Sequence, residues 1–231
     1  WCHSDRSHDG GRRLMRCCIV RHGETPWNAD RRLQGHQDIP LNDLGLAQAE
    51  AAGQYLLRRH QQMPFAAVVS SDLLRAYQTA EAVAKALNMP VQSESALRER
   101  HYGLFEGKTP KEAAAYDPVA YSALVDRADL AAAPGAAEPL QAMLERIEHC
   151  LLDLARAYAD QAVIIVTHGG VLDLLYRRAM GRALTGPRDA PIPNAGLNWI
   201  DIEAEKQGLR WTMVAWGETA HLTDASRDEI L

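Results

Sequence analysis

Residues 17–25 read Cys17-Cys18-Ile19-Val20-Arg21-His22-Gly23-Glu24-Thr25. The run is apolar up to Val20 and then stops at a cation and an imidazole, which is typical of a buried strand that ends abruptly. Gly23 turns the chain and leaves Arg21 and His22 at the end of the strand. In open α/β sheets ligands bind at this end. An arginine beside a nucleophilic imidazole suits a phosphoryl group above other substrates.

Two more strands are predicted to end in polar residues. The apolar run 163–166 leads into Thr167-His168-Gly169, so a second strand also ends in a histidine followed by glycine. The run 66–70 ends in serine and leads into a helix that carries Arg75 in about its first turn. The chain therefore offers two histidines and two arginines at or near strand ends.

Strands alternate with helices, which predicts an α/β fold: a three-layer sandwich with a mostly parallel central sheet flanked by helices. Strands are expected at about 15–20, 66–70, around Val91, and at 162–167, 196–203 and 209–215. Helices are expected from an N-cap at Asn42, from a cap at Ser71 or Asp72 to about Asn88, and at about 138–159 and 171–180. We interpret residues 26–41 as a loop and residues 103–137, with several Gly and Pro, as an inserted lid of short helices and loops.

The length of 231 residues fits one large α/β domain. We interpret residues 15–231 as that domain, and the polar residues 1–14 as a tag or disordered extension outside the fold. The net charge of −5, without long runs of one sign, argues against a nucleic-acid binder. No stretch approaches the roughly 18 apolar residues of a membrane span. The sequence indicates no oligomeric state.

Four cysteines occur, at Cys2, Cys17, Cys18 and Cys150. Their spacing matches no zinc motif. Cys17 and Cys18 are neighbours in a predicted strand and should point to opposite faces of the sheet. We interpret the cysteines as buried free thiols, which fits a cytoplasmic protein.

The motifs together resemble the histidine phosphatase superfamily, also called the phosphoglycerate-mutase-like family, over about residues 15–222. The resemblance rests on the pentapeptide 21–25, on Ser71-Asp72-Leu73-Leu74-Arg75-Ala76, on Leu97-Arg98-Glu99-Arg100-His101-Tyr102-Gly103 and on Thr167-His168-Gly169. It implies action on a small-molecule phosphate ester through a phosphohistidine intermediate, without a cofactor.

Residue chemistry assigns roles within this resemblance. A neutral imidazole is a good nucleophile near pH 7, so His22 is expected to attack phosphorus. Arg21 and Arg75 are expected to clamp the phosphate, and His168 to donate a hydrogen bond to a non-bridging oxygen. These four side chains supply the charge that a magnesium ion would bring, so no metal is expected.

Further phosphate contacts are expected from Asn28, from the backbone of Gln34 and Gly35, and from the backbone of Gly169. Ordinary loop chemistry is the alternative explanation for the first three, because Asn and Gly favour turns in any case.

Glu99 is the candidate acid and base. Hydrolysis of a phosphate monoester needs a proton for the leaving alkoxide and then a base for the incoming water, and one carboxyl group serves both steps in turn. The family's glutamate lies in a stretch that resembles 97–103. Glu106 and Asp72 remain rivals for this role, and a surface glutamate paired with Arg98 or Arg100 is the structural alternative.

Family members divide into mutases and phosphatases. The segment Glu99-Arg100-His101-Tyr102-Gly103 resembles the mutases. The insertion after it is short, however, and residues 106–130 include three basic and five acidic residues. A lid with this charge is poorly suited to hold a bisphosphate, whose charge is about −4 near pH 7. The segments 135–140 and 218–222 also resemble the phosphatase branch. The phosphatase reading is therefore preferred over a phosphoglycerate mutase, and a phosphate-binding module without turnover ranks last.

Overall fold

A computed structural model describes residues 13–127, 129–188 and 190–222. Among them, six strands form one sheet in the order β3-β2-β4-β1-β5-β6. The strands are Leu14–Arg21 (β1), Phe65–Ser70 (β2), Val91–Ser93 (β3), Ala162–Thr167 (β4), Leu197–Glu205 (β5) and Gly208–Glu218 (β6). Strands β3, β2, β4 and β1 are parallel, whereas β5 pairs antiparallel with both of its neighbours, β1 and β6. The predicted mostly parallel sheet is confirmed.

Seven α-helices accompany the sheet in the described residues. They are Pro26–Ala29 (α1), Asp43–His60 (α2), Leu74–Leu87 (α3), Pro110–Tyr116 (α4), Pro118–Asp126 (α5), Leu140–Ala157 (α6) and Gly169–Ala179 (α7). Single 3₁₀ turns occur at Ser95–Leu97, Gly103–Phe105 and Pro134–Ala136.

Two apolar cores lie on the two faces of the sheet. Cys17 and Ile19 belong to the core under α6 and α7, whereas Cys18 and Val20 belong to the core under α2 and α3. This alternation follows from the two-residue period of a strand. It confirms the three layers and places the adjacent cysteines on opposite faces. Burial raises the pKa of both thiols well above the ordinary range.

The start of α3 was predicted wrongly. The helix begins at Leu74, and neither Ser71 nor Asp72 caps it. Asp72 is held by Arg98 through two hydrogen bonds, and the first-turn amide of Leu74 donates instead to Asp38 Oδ1 at 2.6 Å. A tertiary contact thus replaces the local cap that the sequence suggests.

Smaller differences concern other boundaries. Strand β1 starts at Leu14, one residue before the predicted start of the domain, and α6 starts only at Leu140 because Pro139 occupies its N-cap position. The predicted loop 26–41 contains the one-turn helix α1. Residues 1–12, including Cys2, lie outside the described residues, so their interpretation as an extension stays a prediction.

Residues 103–137, called the lid from here on, form α4, α5 and two of the 3₁₀ turns. A small apolar cluster, separate from the two cores of the sheet, joins the lid residues Phe105, Ala113, Leu124 and Ala137 to Leu33 from the segment 26–41. In the described part of the chain, no helix is both long and apolar enough to cross a bilayer.

Candidate active site

The polar ends of three neighbouring strands meet at one edge of the sheet. Strands β1 and β4 pair in parallel with Arg21 opposite Thr167, so His22 and His168 follow side by side. Their ring centroids lie 5.2 Å apart. Strand β2 flanks β4 on its other side and brings Ser71 Oγ within 2.8 Å of His168 Nε2.

The tautomer of His22 is fixed by its neighbour. Its Nδ1 lies 2.7 Å from the carbonyl oxygen of Gly23, which only accepts, so Nδ1 carries the proton and Nε2 keeps a free electron pair. Burial and the positive charges of Arg75 and Arg21 hold the pKa of His22 well below its ordinary 6.5. A neutral ring with an available Nε2 is the form required of a nucleophile.

The backbone around His22 is held from several sides. The His22 amide donates to Thr167 O at 2.9 Å, and the His22 carbonyl accepts from Asn194 Nδ2 at 3.0 Å. Gly23 approaches the start of α2 so closely that a Cβ there would lie 2.4 Å from Gly45 O. Only glycine fits at this turn, which explains the Arg-His-Gly sequence in steric terms.

Arg75 is buried beneath the same site, with 1% of its surface exposed. Its two terminal nitrogens each donate at 2.8 Å to carbonyl oxygens, those of Gln37 and Gly35, while its buried Nε has no hydrogen-bond partner among the described residues. Desolvation lowers its pKa to about 10, so the guanidinium remains charged at neutral pH. Arg75 therefore brings a fixed cation and shapes the loop 35–37.

One pocket collects most of the predicted site residues. It lies at the carboxyl ends of the parallel strands and is lined by Arg21, His22, Asn28, Arg32, Leu33, Gln34, Gly35, Arg75, Glu99, Tyr102, Gly169 and Arg188. Arg21 is anchored by a 2.6 Å hydrogen bond to Ile192 O. Asn28 accepts hydrogen bonds from the backbone and the hydroxyl of Thr25 through its amide oxygen.

His168 does not line this pocket. It is completely buried beside His22, and its Nδ1 has no hydrogen-bond partner in the described structure. Burial, followed by the charge of Arg75, lowers its pKa well below 6.5, so the ring is neutral in this structure. Protonation of His168 would therefore require a nearby anion to offset these effects.

Glu99 reaches the pocket from the segment before the lid. Its Oε1 accepts from the backbone of Arg100 at 2.8 Å, and its Oε2 accepts from the backbone of Gly170 in the first turn of α7 at 2.9 Å. A Cβ at position 170 would lie only 2.2 Å from Glu99 Oε1. The second glycine of the pair 169–170 thus makes room for this carboxylate.

The two alternative candidates for the acid and base, Glu106 and Asp72, lie outside the pocket. Glu106 accepts hydrogen bonds from the backbone of His36 and Tyr102 and from the Gln37 side chain, and it does not line the pocket. Asp72 is paired with Arg98, whose hydrogen bonds lower the pKa of Asp72. Both carboxylates are thus engaged in structural contacts, and Glu99 alone of the three lines the pocket together with His22.

Sequence reasoning missed Tyr102, Asn194 and Arg188. Burial raises the pKa of Tyr102 to about 12, so its hydroxyl stays protonated. The Arg188 guanidinium comes within 3.5 Å of the position that a Cβ on Gly169 would occupy. Both Asn194 and Arg188 lie in the irregular stretch between α7 and β5, where no periodicity singles out any residue.

The chain is similar to known proteins over most of its length. Residues 17–219 match the model of the histidine phosphatase superfamily (branch 1). The chain belongs to this superfamily. Two relatives come from Arabidopsis thaliana: phosphoglycerate mutase-like protein 4, 35% identical over 89% of this chain and 86% of its own, and a metal-independent phosphoserine phosphatase, 36% identical over 89% and 82%. The solved structure of Bacillus stearothermophilus YhfR is 30% identical and superposes with a TM-score of 0.78, covering 90% of this chain and 100% of that one.

Arginine side chains bring positive charge to the pocket. In the described residues, no group of three or more His, Cys, Asp or Glu is placed to hold a metal ion. Arg21, Arg75 and Arg188 surround the pocket instead. Fixed guanidinium groups in a water-poor site stabilise the charge on a transferring phosphoryl group.

Proposed function

We propose that this protein is a metal-independent phosphomonoesterase that acts on small phosphorylated metabolites through a phosphohistidine at His22. One observation carries the proposal: His22, with its proton on Nδ1, shares a single pocket with Arg21, Arg75 and Glu99. This set supplies a nucleophile, a cationic clamp and a proton carrier for phosphoryl transfer.

The reaction has two steps. His22 Nε2 attacks phosphorus, the P–N bond forms, the ester P–O bond breaks, and Glu99 gives its proton to the leaving alkoxide. Water then attacks phosphorus, Glu99 takes the water's proton, and the P–N bond breaks to release inorganic phosphate. Throughout, Arg21 and Arg75 bind the non-bridging oxygens, and His168 donates to one of them. Asn28, Gln34, Gly35 and Gly169 complete the cradle.

A phosphoglycerate mutase would use the same phosphohistidine but would have to retain a bisphosphate. A second cavity adjoins the pocket and shares Leu33, Tyr102 and Arg188 with it. Among the described lid residues, Arg127 is the one cation that lines either cavity, whereas Lys108 lies over the ring of Tyr116 at 4.6 Å. The name of the phosphoserine phosphatase relative also supports hydrolysis, although mutase-like names occur among the relatives as well. Three described cysteines are buried free thiols, which suits a reducing cytoplasm.

The decisive experiment compares the wild type with His22→Ala. On p-nitrophenyl phosphate the wild type should release phosphate over many turnovers, and a rapid alkaline quench with labelled substrate should trap an acid-labile phosphoenzyme. His22→Ala should lose both, by more than the roughly 10²–10³-fold that follows loss of one stabilising donor. The matched control is His149→Ala, an exposed histidine on α6 whose side chain is 80% exposed.

Two results would contradict the proposal. Substantial turnover by folded His22→Ala would show that His22 is not the nucleophile. Incubation with 3-phosphoglycerate and a trace of 2,3-bisphosphoglycerate tests the second point, because conversion to 2-phosphoglycerate about 100-fold faster than phosphate release would identify a mutase.

A further inference from the structure

The segment that carries Glu99 has no regular secondary structure. It lies between the 3₁₀ turns Ser95–Leu97 and Gly103–Phe105, and residues 98–102 belong to no helix or strand. Backbone carbonyl groups in such a segment receive no hydrogen bond from a helix or sheet, so buried ones need a donor from elsewhere in the fold. Since Glu99 is buried, the place of its carboxylate depends on the groups that hold this backbone.

One side chain on α6 holds three of these carbonyl groups. Arg146 Nη1 donates to the carbonyl oxygens of Ala96 and Arg98, at 2.6 and 2.8 Å. Arg146 Nη2 donates to the carbonyl oxygen of Glu99 at 3.0 Å. A guanidinium group is planar and carries its donors in a fixed arrangement, so it fixes the positions of these oxygens relative to one another. Arg146 thus acts on the backbone up to and including Glu99.

Glu138 orients the Arg146 guanidinium. Its Oε1 accepts from Arg146 Nε at 2.7 Å, and its Oε2 accepts from Arg146 Nη2 at 2.9 Å, which is the bidentate geometry that fixes the guanidinium plane. The Glu138 backbone also binds the other side of the segment. Its amide donates to His101 O at 2.8 Å, and its carbonyl accepts from Arg100 Nε at 2.8 Å. Glu138 and Arg146 together, called the α6 clamp from here on, therefore hold the chain on both sides of Glu99.

Arg146 has no direct access to the reaction. It does not line the pocket that contains His22 and Glu99. The phosphate clamp is held by other groups, since Arg21 donates to Ile192 O and Arg75 donates to the carbonyl oxygens of the loop 35–37. Any effect of Arg146 on proton transfer must pass through the backbone of Glu99.

Building on the proposed phosphatase function, we propose that Arg146, oriented by Glu138, is a positioning residue for Glu99. The α6 clamp holds the backbone from which the Glu99 carboxylate reaches the leaving oxygen, and a proton carrier must lie within hydrogen-bond reach of that oxygen. Loss of the clamp should therefore impair proton transfer to the leaving alkoxide and leave phosphate binding intact.

Two substrates and one inhibitor test this inference. On glycerol 3-phosphate, Arg146→Ala should lower kcat/KM by about 10²-fold, the usual cost of a displacement of roughly 1 Å in a reacting group. On p-nitrophenyl phosphate, whose leaving group needs no proton, the loss should stay below about fivefold. The inhibition constant of inorganic phosphate should remain within about twofold of the wild type, because Arg21 and Arg75 keep their places.

A conservative variant separates geometry from charge. The charge of Arg146 also contributes, behind burial and Arg75, to the lowered pKa of His168. Because His168 is assigned to the phosphate and not to the leaving group, loss of this charge would affect both substrates alike. Arg146→Lys keeps the charge but not the planar donors, so it should still lose about tenfold on glycerol 3-phosphate and little on p-nitrophenyl phosphate.

A double variant and a matched control complete the design. In Glu99→Gln, the further substitution Arg146→Ala should cause no additional loss on glycerol 3-phosphate if both act through one carboxylate. The control is Arg16→Ala near the start of β1. Arg16 Nε and Nη2 each donate at 2.8 Å to the carboxylate of Asp201, so the variant loses the same kind of bidentate pair but none of the carbonyl contacts around Glu99. Both activities of Arg16→Ala should equal those of the wild type.

The remaining outcomes overturn the inference. Equal losses on the two substrates, an inhibition constant of phosphate that rises in step with the loss, or additive losses in the double variant would each show that Arg146 has a general structural role. If Arg146→Ala does not fold, Arg146→Lys and Glu138→Gln decide the question, since both should lose more on glycerol 3-phosphate than on p-nitrophenyl phosphate. Failure of the wild type to hydrolyse p-nitrophenyl phosphate would instead contradict the proposed function itself.

Discussion

Replacement of Gly170 by alanine is the most specific perturbation that the geometry suggests. The added Cβ would lie 2.2 Å from Glu99 Oε1, whereas an ordinary carbon–oxygen contact needs about 3.3 Å or more. The carboxylate must therefore move by roughly 1 Å. Since the clash involves the end of a side chain, the fold should accommodate it, and alanine also suits the first turn of α7 better than glycine.

The Gly170→Ala substitution should lower the catalytic rate. A displacement of about 1 Å in a reacting group lowers the rate by about 10²-fold, equivalent to about 2.7 kcal/mol in the barrier. Glu99 matters most when the leaving alkoxide needs a proton, so the loss should be far larger for alkyl phosphates than for p-nitrophenyl phosphate, which departs without protonation.

The assay compares kcat/KM on glycerol 3-phosphate and on p-nitrophenyl phosphate for the wild type, Gly170→Ala, Glu99→Gln and the double variant. If Gly170→Ala acts through Glu99, the double variant should be no worse than Glu99→Gln alone. Equal losses on both substrates, or additive losses in the double variant, would refute the assignment of Glu99.

Four further predictions concern charge and positioning. Activity should survive an excess of EDTA, because arginines provide the positive charge; a loss that magnesium or zinc restores would contradict this. Because the pKa of His22 lies below 6.5, the ring stays neutral as the pH falls through that value, so the acid limb of kcat/KM should appear well below pH 6.5. The unfolded chain binds this proton more readily, so stability should fall as the pH drops below about 6.5, measured by urea unfolding. Asn194→Ala removes the 3.0 Å donor to His22 O and should destabilise the protein by about 1–3 kcal/mol, mostly recovered in Asn194→Ser if a short donor suffices.

The sequence predicts the central part of this site because its signals are local. A strand that ends in Arg-His-Gly or Thr-His-Gly predicts both the turn after the strand and the polar residues at its end. Parallel pairing of the two strands then brings His22 and His168 together. Contacts between distant segments leave no such signal. The cap of α3 by Asp38, and the support of His22 by Asn194, depend on pairings that only the folded chain reveals.

The charge of the lid illustrates a different limit. Counted along the sequence, the lid is acidic, but Glu112 and Asp117 cap the helices α4 and α5, and Asp126 accepts from Ser122. The charged lid residue that lines the cavity next to the His22 pocket is Arg127. Net charge over a segment therefore says little about the charge that a ligand meets, because side-chain direction is set by packing.

The separate apolar cluster of the lid bears on how this protein exchanges ligands and how it evolves. Four buried lid side chains pack with Leu33 without contributing to either core of the sheet. Local opening of such a unit requires far less free energy than global unfolding, so hydrogen exchange in α4 and α5 should be faster than in β1 or β4. For the same reason, substitutions in the lid are free to alter which alcohols enter, while the histidines at the strand ends keep their arrangement. New specificity in this scaffold then costs little thermodynamic stability.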